Sequence, residues 1–380
     1  MALCRAIVSR GKTTLASRFA YKSRSWSSFS HAADKFVLEI PEEHEGLNYE
    51  FNWSLADDDV TPHGDAYRNL RFSRLASFTK DMAPVANKLT VNTVDVDLSL
   101  NDYEPIYEKI TYELSLAENL FVHDGAVGSF TEDRTRVRVI SDNPMIAMFA
   151  QALLVRIPTK DVHATRPIVV YVATFGSFEK QEPRAYVYSD KDDDGNVFVK
   201  VVITGMPSVE DIPKLLVLAK RKLDEELGRT SLIIQADTVL HANEPVLLFN
   251  PTDSMRAKSI NERLLYSAHQ TIWNSVGLTS FFGGALTESL NLNEKQVVPT
   301  ASGVAVHVPC QNLVVHPKAA IFMDASSKAK TITVQQAITM MQKTDARVSA
   351  QSVEKVLQES KTKLYVVPDE ASIDSVLGRK

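Results

Sequence analysis

The sequence predicts a mixed α/β fold, of the α+β kind with mixed sheets, on three observations. Segments with helical spacing of apolar residues, such as 102–116, intermingle along the chain with short β-branched runs such as 168–173. No internal repeat or low-complexity linker interrupts that alternation. The 380 residues are 44% hydrophobic and 23% charged, enough for one large core or two medium ones.

Taken in order, a polar stretch ends near Asp59, and 65–78 has a mixed apolar rhythm that predicts a helix. A second helix is expected over 102–116, with Ile106, Ile110 and Leu114 on one face. Short strands follow at 120–122 and 135–140, the latter alternating polar and apolar residues as a half-buried strand does. Residues 144–154 are apolar on most sides and predict a buried helix. Strands at 168–173, 185–188 and 197–203 surround an acidic turn at 190–195, and 209–227 is an amphipathic helix with Pro213 near its start. Further strands are expected at 231–234 and 246–249 with a polar loop between them, then at 312–315 and 319–323. Helices at 334–343, 353–358 and 370–377, with a strand at 364–367, close the chain.

Charge is uneven. Residues 1–34 hold six basic side chains (Arg5, Arg10, Lys12, Arg18, Lys22, Arg24) against Asp34 alone, which leaves 36 basic and 46 acidic residues elsewhere. A basic, serine-rich, acid-poor and amphipathic leader is the pattern of a mitochondrial transit peptide, so a matrix location, or the matrix side of the inner membrane, is expected. The acidic remainder repels phosphate backbones and argues against nucleic acid as a partner. No apolar run approaches the roughly 18–20 residues that cross a bilayer, so no transmembrane segment is expected and any membrane contact is peripheral. With Cys4 in the leader, Cys310 stands alone, which excludes an internal disulfide after cleavage.

Apparent motifs resolve into decoys. Gly11-Lys12-Thr13-Thr14 lacks the first glycine of a phosphate loop, Ala6 standing there, and no strand precedes it. The 190–195 run (DKDDDG) has Val201 where a calcium loop needs its bidentate Glu, so it reads as a hairpin turn. The scattered histidines show no metal-ligand spacing.

The stretch 120–158, LFVHDGAVGSFTEDRTRVRVISDNPMIAMFAQALLVRIP, carries more. It resembles the N-terminal domain of ATP-type phosphoenolpyruvate carboxykinases. In that family an L-F-V-x-D strand, a Gly, an R-x-x-V-R-V strand and a P-x-x-A-x-F helix ending in Pro follow at this spacing. Leu120, Asp124, Gly128, Arg134, Val137, Arg138, Val139, Pro144, Ala147 and Phe149 match those places. The resemblance runs over about 65–340, through Trp273, Gly277, Gly283, Gly284, Leu292 and His316-Pro317-Lys318. It implies a truncated fold of that family: a leader over 1–34, an N-terminal domain over 35–230, and over 231–380 a P-loop-kinase-like domain lacking its P-loop.

The family's chemistry depends on metal ions, arginines, lysines and a glycine-rich loop. The resemblance places its substrate loop on 81–88, where Met82 and Ala83 replace the glycine and arginine and Lys88 survives. Its substrate tyrosine falls on Pro207 and its lysines on Ile212 and Pro213. Its metal-ligand histidine falls on Gln235, and its Asp-Asp pair on Ala268-His269. Its phosphate loop falls on 251–259 (PTDSMRAKS), without a glycine, with Ala257 at the lysine position and Asp253 adding negative charge; sliding Arg256 or Lys258 into place restores no glycine. The expectation is a pseudoenzyme with no catalytic, cofactor-binding or metal residues and no cofactor. Its partners would be other protein subunits of a large mitochondrial complex, for instance an enlarged protist ATP synthase. The rival expectation is a ligand-sensing module for an anion or nucleotide. Arg134, Arg136 and Arg138 are its candidate contacts, although an alternating basic strand face turned to solvent is the simpler reading. Met82, Met206 and Met255 are candidates to fill the former cleft.

Overall fold

The computed structural model describes residues 43–44, 55–79, 93–96, 98–157, 166–192, 194–229, 232–288, 292, 296–300, 303–308 and 315–378. The leader, Gly11–Thr14, the 81–88 loop, Cys310 and most of the strand expected at 312–315 lie outside the described residues.

The first half builds one mixed sheet of eight strands: β1 (Glu43–His44), β2 (Asp65–Arg68), β3 (Thr93–Asp95), β4 (Asn119–Val127), β5 (Thr135–Ser141), β6 (Ile168–Ala173), β7 (Arg184–Lys191) and β8 (Val197–Thr204). Their spatial order is β1-β2-β4-β5-β6-β8-β7-β3. Four α-helices of this half fall among the described residues: α1 (Phe72–Phe78), α2 (Leu100–Ser115), α3 (Pro144–Leu153) and α4 (Ile212–Glu226). Ser99 caps α2 by accepting from the Asp102 N–H, and Asn143 caps α3 by accepting from that of Met145. Tyr107, Ile110 and Leu114 of α2 pack on Leu120, Val122, Tyr171 and Val202 on one sheet face. On the other face Phe149 of α3 and Leu216 of α4 join Val137, Val139, Val170 and Val201.

The second half contains a six-stranded sheet of order β12-β10-β11-β18-β20-β19 and two three-stranded sheets, β14-β13-β9 and β15-β17-β16. The strands are β9 (Leu232–Ile234), β10 (Asp237–His241), β11 (Glu244–Phe249), β12 (Leu265–Ser267), β13 (Thr271–Asn274), β14 (Gly277–Ser280), β15 (Gly284–Thr287), β16 (Val297–Pro299), β17 (Val304–His307), β18 (Ala319–Met323), β19 (Lys330–Thr331) and β20 (Lys363–Val367). Helices α5 (Asp253–Asn261) and α8 (Ala371–Val376) lie on one face of the larger sheet, α6 (Val334–Thr344) and α7 (Ala350–Ser360) on the other. The class is therefore mixed α/β, as the sequence predicts.

Two expectations are corrected. Residues 65–68 are not helical: β2 pairs in parallel with β4, Asp65 opposite Asn119 and Arg68 opposite Val122. That pairing lets Arg68 reach Asp124, an interaction stronger than a helical rhythm that only 72–78 fulfils. The loop expected between 234 and 246 contains β10, which forms a hairpin with β11. Its two-residue turn, Ala242-Asn243, holds φ values of 48° and 66°, the primed conformation usually announced by Asn-Gly. The acidic run at 190–195 is a hairpin turn as expected, with Lys191 opposite Val197. There the Asp192 carboxylate accepts from the backbone N–H groups of Asp194 and Asn196 at 3.0 and 2.7 Å.

The two halves are packed into one another through α3. A Cβ on Gly284 would stand 2.0 Å from the Ala152 carbonyl oxygen, and one on Gly283 would stand 2.8 Å from that of Leu154. The Gly283 N–H donates to the Leu153 carbonyl at 2.8 Å, and the Gly128 N–H to that of Phe281 at 2.8 Å. Gly284→Ala must therefore push two backbones apart, with an expected loss of about 3 kcal/mol. Gly195→Ala, at φ 81° with nothing within 4 Å, should cost only about 1 kcal/mol. Urea denaturation of the two variants checks the order.

Candidate functional site

In open α/β sheets ligands gather at the carboxyl ends of the strands. Here β11, β18 and β20 run parallel, and the chain passes from β11 through Asn250, Pro251 and Thr252 directly into α5. A strand–turn–helix of this form offers the first N–H groups of the helix to an anion. The protein's own side chains hold the place. The Thr252 hydroxyl caps α5 by accepting from the Met255 N–H at 3.3 Å. Arg256, one turn into the helix, folds back and donates from Nε to Asp237 Oδ2 at 2.8 Å and from Nη1 to Asp253 Oδ1 at 2.8 Å. Asp237 also accepts from the His269 N–H at 2.7 Å. His269 is half-buried, with Nε2 2.8 Å from the Leu286 N–H. Desolvation, with Arg256 beside it, lowers its pKa to about 4, so the ring is neutral at pH 7. Two carboxylates around one guanidinium leave the turn no net positive charge with which to attract a polyphosphate.

The expected chemistry positions are distributed over both halves of the molecule. Gln235 is exposed in the bend between β9 and β10, while Ala257 is buried and Ala268 is buried in the apolar core beneath α5. Pro207, Ile212 and Pro213 are buried at the start of α4. Met255 is buried beneath α5, and Met206 is half-buried, its sulfur 3.5 Å from the Asn143 amide. Lys258 points away and pairs with Glu370 at 2.9 Å. Asp253 does not stand as an isolated negative charge, because Arg256 neutralises it.

A second charged cluster lies under α2. Arg138 is fully buried and donates from Nε to Asp124 Oδ1 at 2.7 Å, from Nη2 to Asp124 Oδ2 at 2.9 Å, and from Nη1 to Asp58 Oδ2 at 2.8 Å. Arg68, equally buried, grips the same Asp124 carboxylate, and Arg166 stands 3.9 Å from it. The network continues through Tyr107, whose hydroxyl donates to Asp59 at 2.9 Å, meets that of Tyr171 at 3.0 Å and accepts from Lys200 at 2.8 Å. Burial alone would raise the Asp124 pKa, but Arg138 and Arg68 hold it well below the usual carboxylate range. Asp58, with less support, is raised by desolvation. The solvent-facing reading of the 134–138 face is thereby corrected for Arg138. Arg134 and Arg136 are half-buried, and Arg134 donates to the Ser129 carbonyl at 2.9 Å. Alternation showed that the three share a face, but the burying residues, α2 and Asp58, are remote in sequence.

Among the described residues no group of three or more His, Cys, Asp or Glu is arranged to hold a metal ion. Compared with protein-family models and with curated protein sequences, the chain matches none.

Two outcomes follow. Arg138→Met leaves two buried carboxylates without their shared cation, and urea denaturation should show a loss of about 3–5 kcal/mol. Arg166→Met, at the half-exposed edge, should cost under about 1 kcal/mol. For His269 the folded pKa lies below the unfolded value near 6.5, so the unfolded state binds the extra proton. Its contribution is present above pH 6.5 and is lost as pH falls towards 4, by up to roughly 3 kcal/mol. His269→Gln should flatten that part of the stability–pH curve, measured by denaturant titration at each pH.

Proposed function

We propose that this chain is a mitochondrial pseudoenzyme of ATP-type phosphoenolpyruvate carboxykinase ancestry, serving as a non-catalytic structural or interaction subunit of a large complex. In this reading its fold is that family's, with the second domain stripped of its phosphate loop. An accessory subunit of an enlarged mitochondrial ATP synthase is the leading destination.

One observation carries the reading. At the β11–α5 turn, Arg256 is held between Asp237 and Asp253, and the Met255 N–H is capped by Thr252, so side chains of the chain stand where an anion would be bound. A guanidinium already spanning two carboxylates must break both pairs before it can meet a phosphate. The sequence supports the same view: the positions that resemble the family are mostly apolar, glycine and strand positions outside its catalytic loops, while those of its chemistry, Lys88 apart, are replaced. The basic, serine-rich leader supports the compartment. Among the described residues no helix is long and apolar enough to cross a membrane, in keeping with attachment through other proteins.

Two measurements test this. Native gel separation of gently solubilised mitochondria, followed by mass spectrometry across the slices, should place the protein with one large complex. Migration near the mass of a monomer or dimer overturns the reading. Thermal shift with millimolar ATP, GTP, oxaloacetate or phosphoenolpyruvate should show no stabilisation. A clear rise in Tm would instead establish a ligand-sensing module, since stabilisation follows RT ln(1 + [L]/Kd).

A further inference from the structure

We infer that an acidic-rimmed apolar groove at the end of α2 is the surface by which this chain binds a partner protein, and that it takes a basic segment rich in aliphatic side chains. The inference deepens the interaction-subunit reading and rests on it.

The groove has a volume of about 500 Å³ and lies where α2 ends, β4 begins and α3 starts. Phe78, Phe121 and Pro144 give it apolar walls. Leu116 and Phe175 stand at its edge with 47% and 44% of their surface exposed. Tyr112, one turn before Leu116 on the same helix, is also 47% exposed. Single exposed apolar side chains are ordinary, but two converging on one depression, with a third beside them, mark a contact surface.

Charge selects the occupant. Glu113, Glu118 and Asp142 line the groove, and among the described residues that line it there is no lysine, arginine or histidine. Asp142 is a fixed part of the wall: it accepts from the N–H groups of Thr174 and Phe175, each at 2.9 Å, and so sets the Phe175 turn. Glu113 accepts weakly from the Ser177 N–H at 3.5 Å, and Glu118 is exposed. The C-terminus of the 16-residue α2 adds partial negative charge at the same place. Anionic lipid headgroups would be repelled by this rim. A second copy would bring a predominantly acidic body to an acidic rim. A basic, aliphatic protein segment satisfies both the walls and the rim.

The test uses the purified chain and two labelled 16-residue amphipathic peptides, one of Leu and Lys, its twin of Leu and Glu, followed by fluorescence anisotropy. The Leu/Lys peptide should bind at least ~10-fold more tightly than its twin, and less tightly as salt rises. Leu116→Ser and Glu118→Lys should each weaken it by ~5-fold or more, while Glu354→Lys, on the exposed side of α7, leaves it unchanged. Both groove positions are exposed, so an unchanged Tm confirms that the variants fold. Absence of binding, equal loss with Glu354→Lys, or no effect of Leu116→Ser overturns the proposal. So does self-association that Leu116→Ser abolishes, because the occupant is then a second copy. Co-migration with a large complex together with a failed peptide test removes this surface alone. Peptide binding by a chain that migrates by itself removes the complex and keeps the surface.

Discussion

The Asp124 carboxylate sits at the crossing of β2, β4, β5 and the turn at 56–58, and the first half of the molecule is arranged around it. Arg68 reaches it from β2 and Arg138 from β5, while Arg138 also ties down Asp58. A single ion pair in an apolar interior gains little over hydrocarbon, because desolvation offsets attraction. What such a cluster does is penalise every other arrangement. A one-residue slip of β5 against β4 would turn Arg138 into the α3 face, leaving Asp124 with Arg68 but without Arg138, and Asp58 without its bonded cation. Register, the packing of the 56–58 turn and the side of the sheet that α2 covers are therefore fixed together by one carboxylate.

The second half has a smaller counterpart in Asp237, which accepts from Arg256 and from the His269 N–H. Here the linked elements are β10, α5 and the turn between β12 and β13, so the first turn of α5 is fixed to the sheet edge rather than left open. The cost of holding a site ready for anions is an uncompensated positive field; once Asp237 and Asp253 neutralise Arg256, that cost disappears. The halves share a core as well: Phe281, Phe282 and Ala305 pack with Phe149 and Val139. The interface between the halves is tight, its backbones meeting at Gly283 and Gly284, where domain closure over a substrate would need freedom.

Much of this was legible in the sequence, and the failures have definite causes. Helix α2 followed from Ile106, Ile110 and Leu114, and β6 and β8 from β-branched runs, because those signals are local. Strand β10 was missed because Ala242-Asn243 takes a turn conformation that Ala seldom adopts. The helical rhythm over 65–78 misled because Arg68 is placed by a partner 56 residues away. At the candidate site, the absence of glycine between 251 and 259 could be read directly. That Arg256 would turn inward to Asp237, 19 residues earlier, could not, since the strand pairing that makes them neighbours leaves no local mark.

The distribution of charge gives the last step. Basic residues that could serve chemistry, Arg68, Arg138 and Arg256, are buried and matched to carboxylates. The excess of acid outside 1–34 must then be borne largely by the surface, where Glu118 and its neighbours remain available. An enzyme of anionic substrates concentrates positive potential in a cleft and leaves the outside mixed. At the places described, the buried guanidiniums are matched by carboxylates, and an exposed groove is acidic with apolar walls. That polarity supports the proposed recognition of other proteins, with Arg68, Arg138 and Arg256 committed to holding the fold.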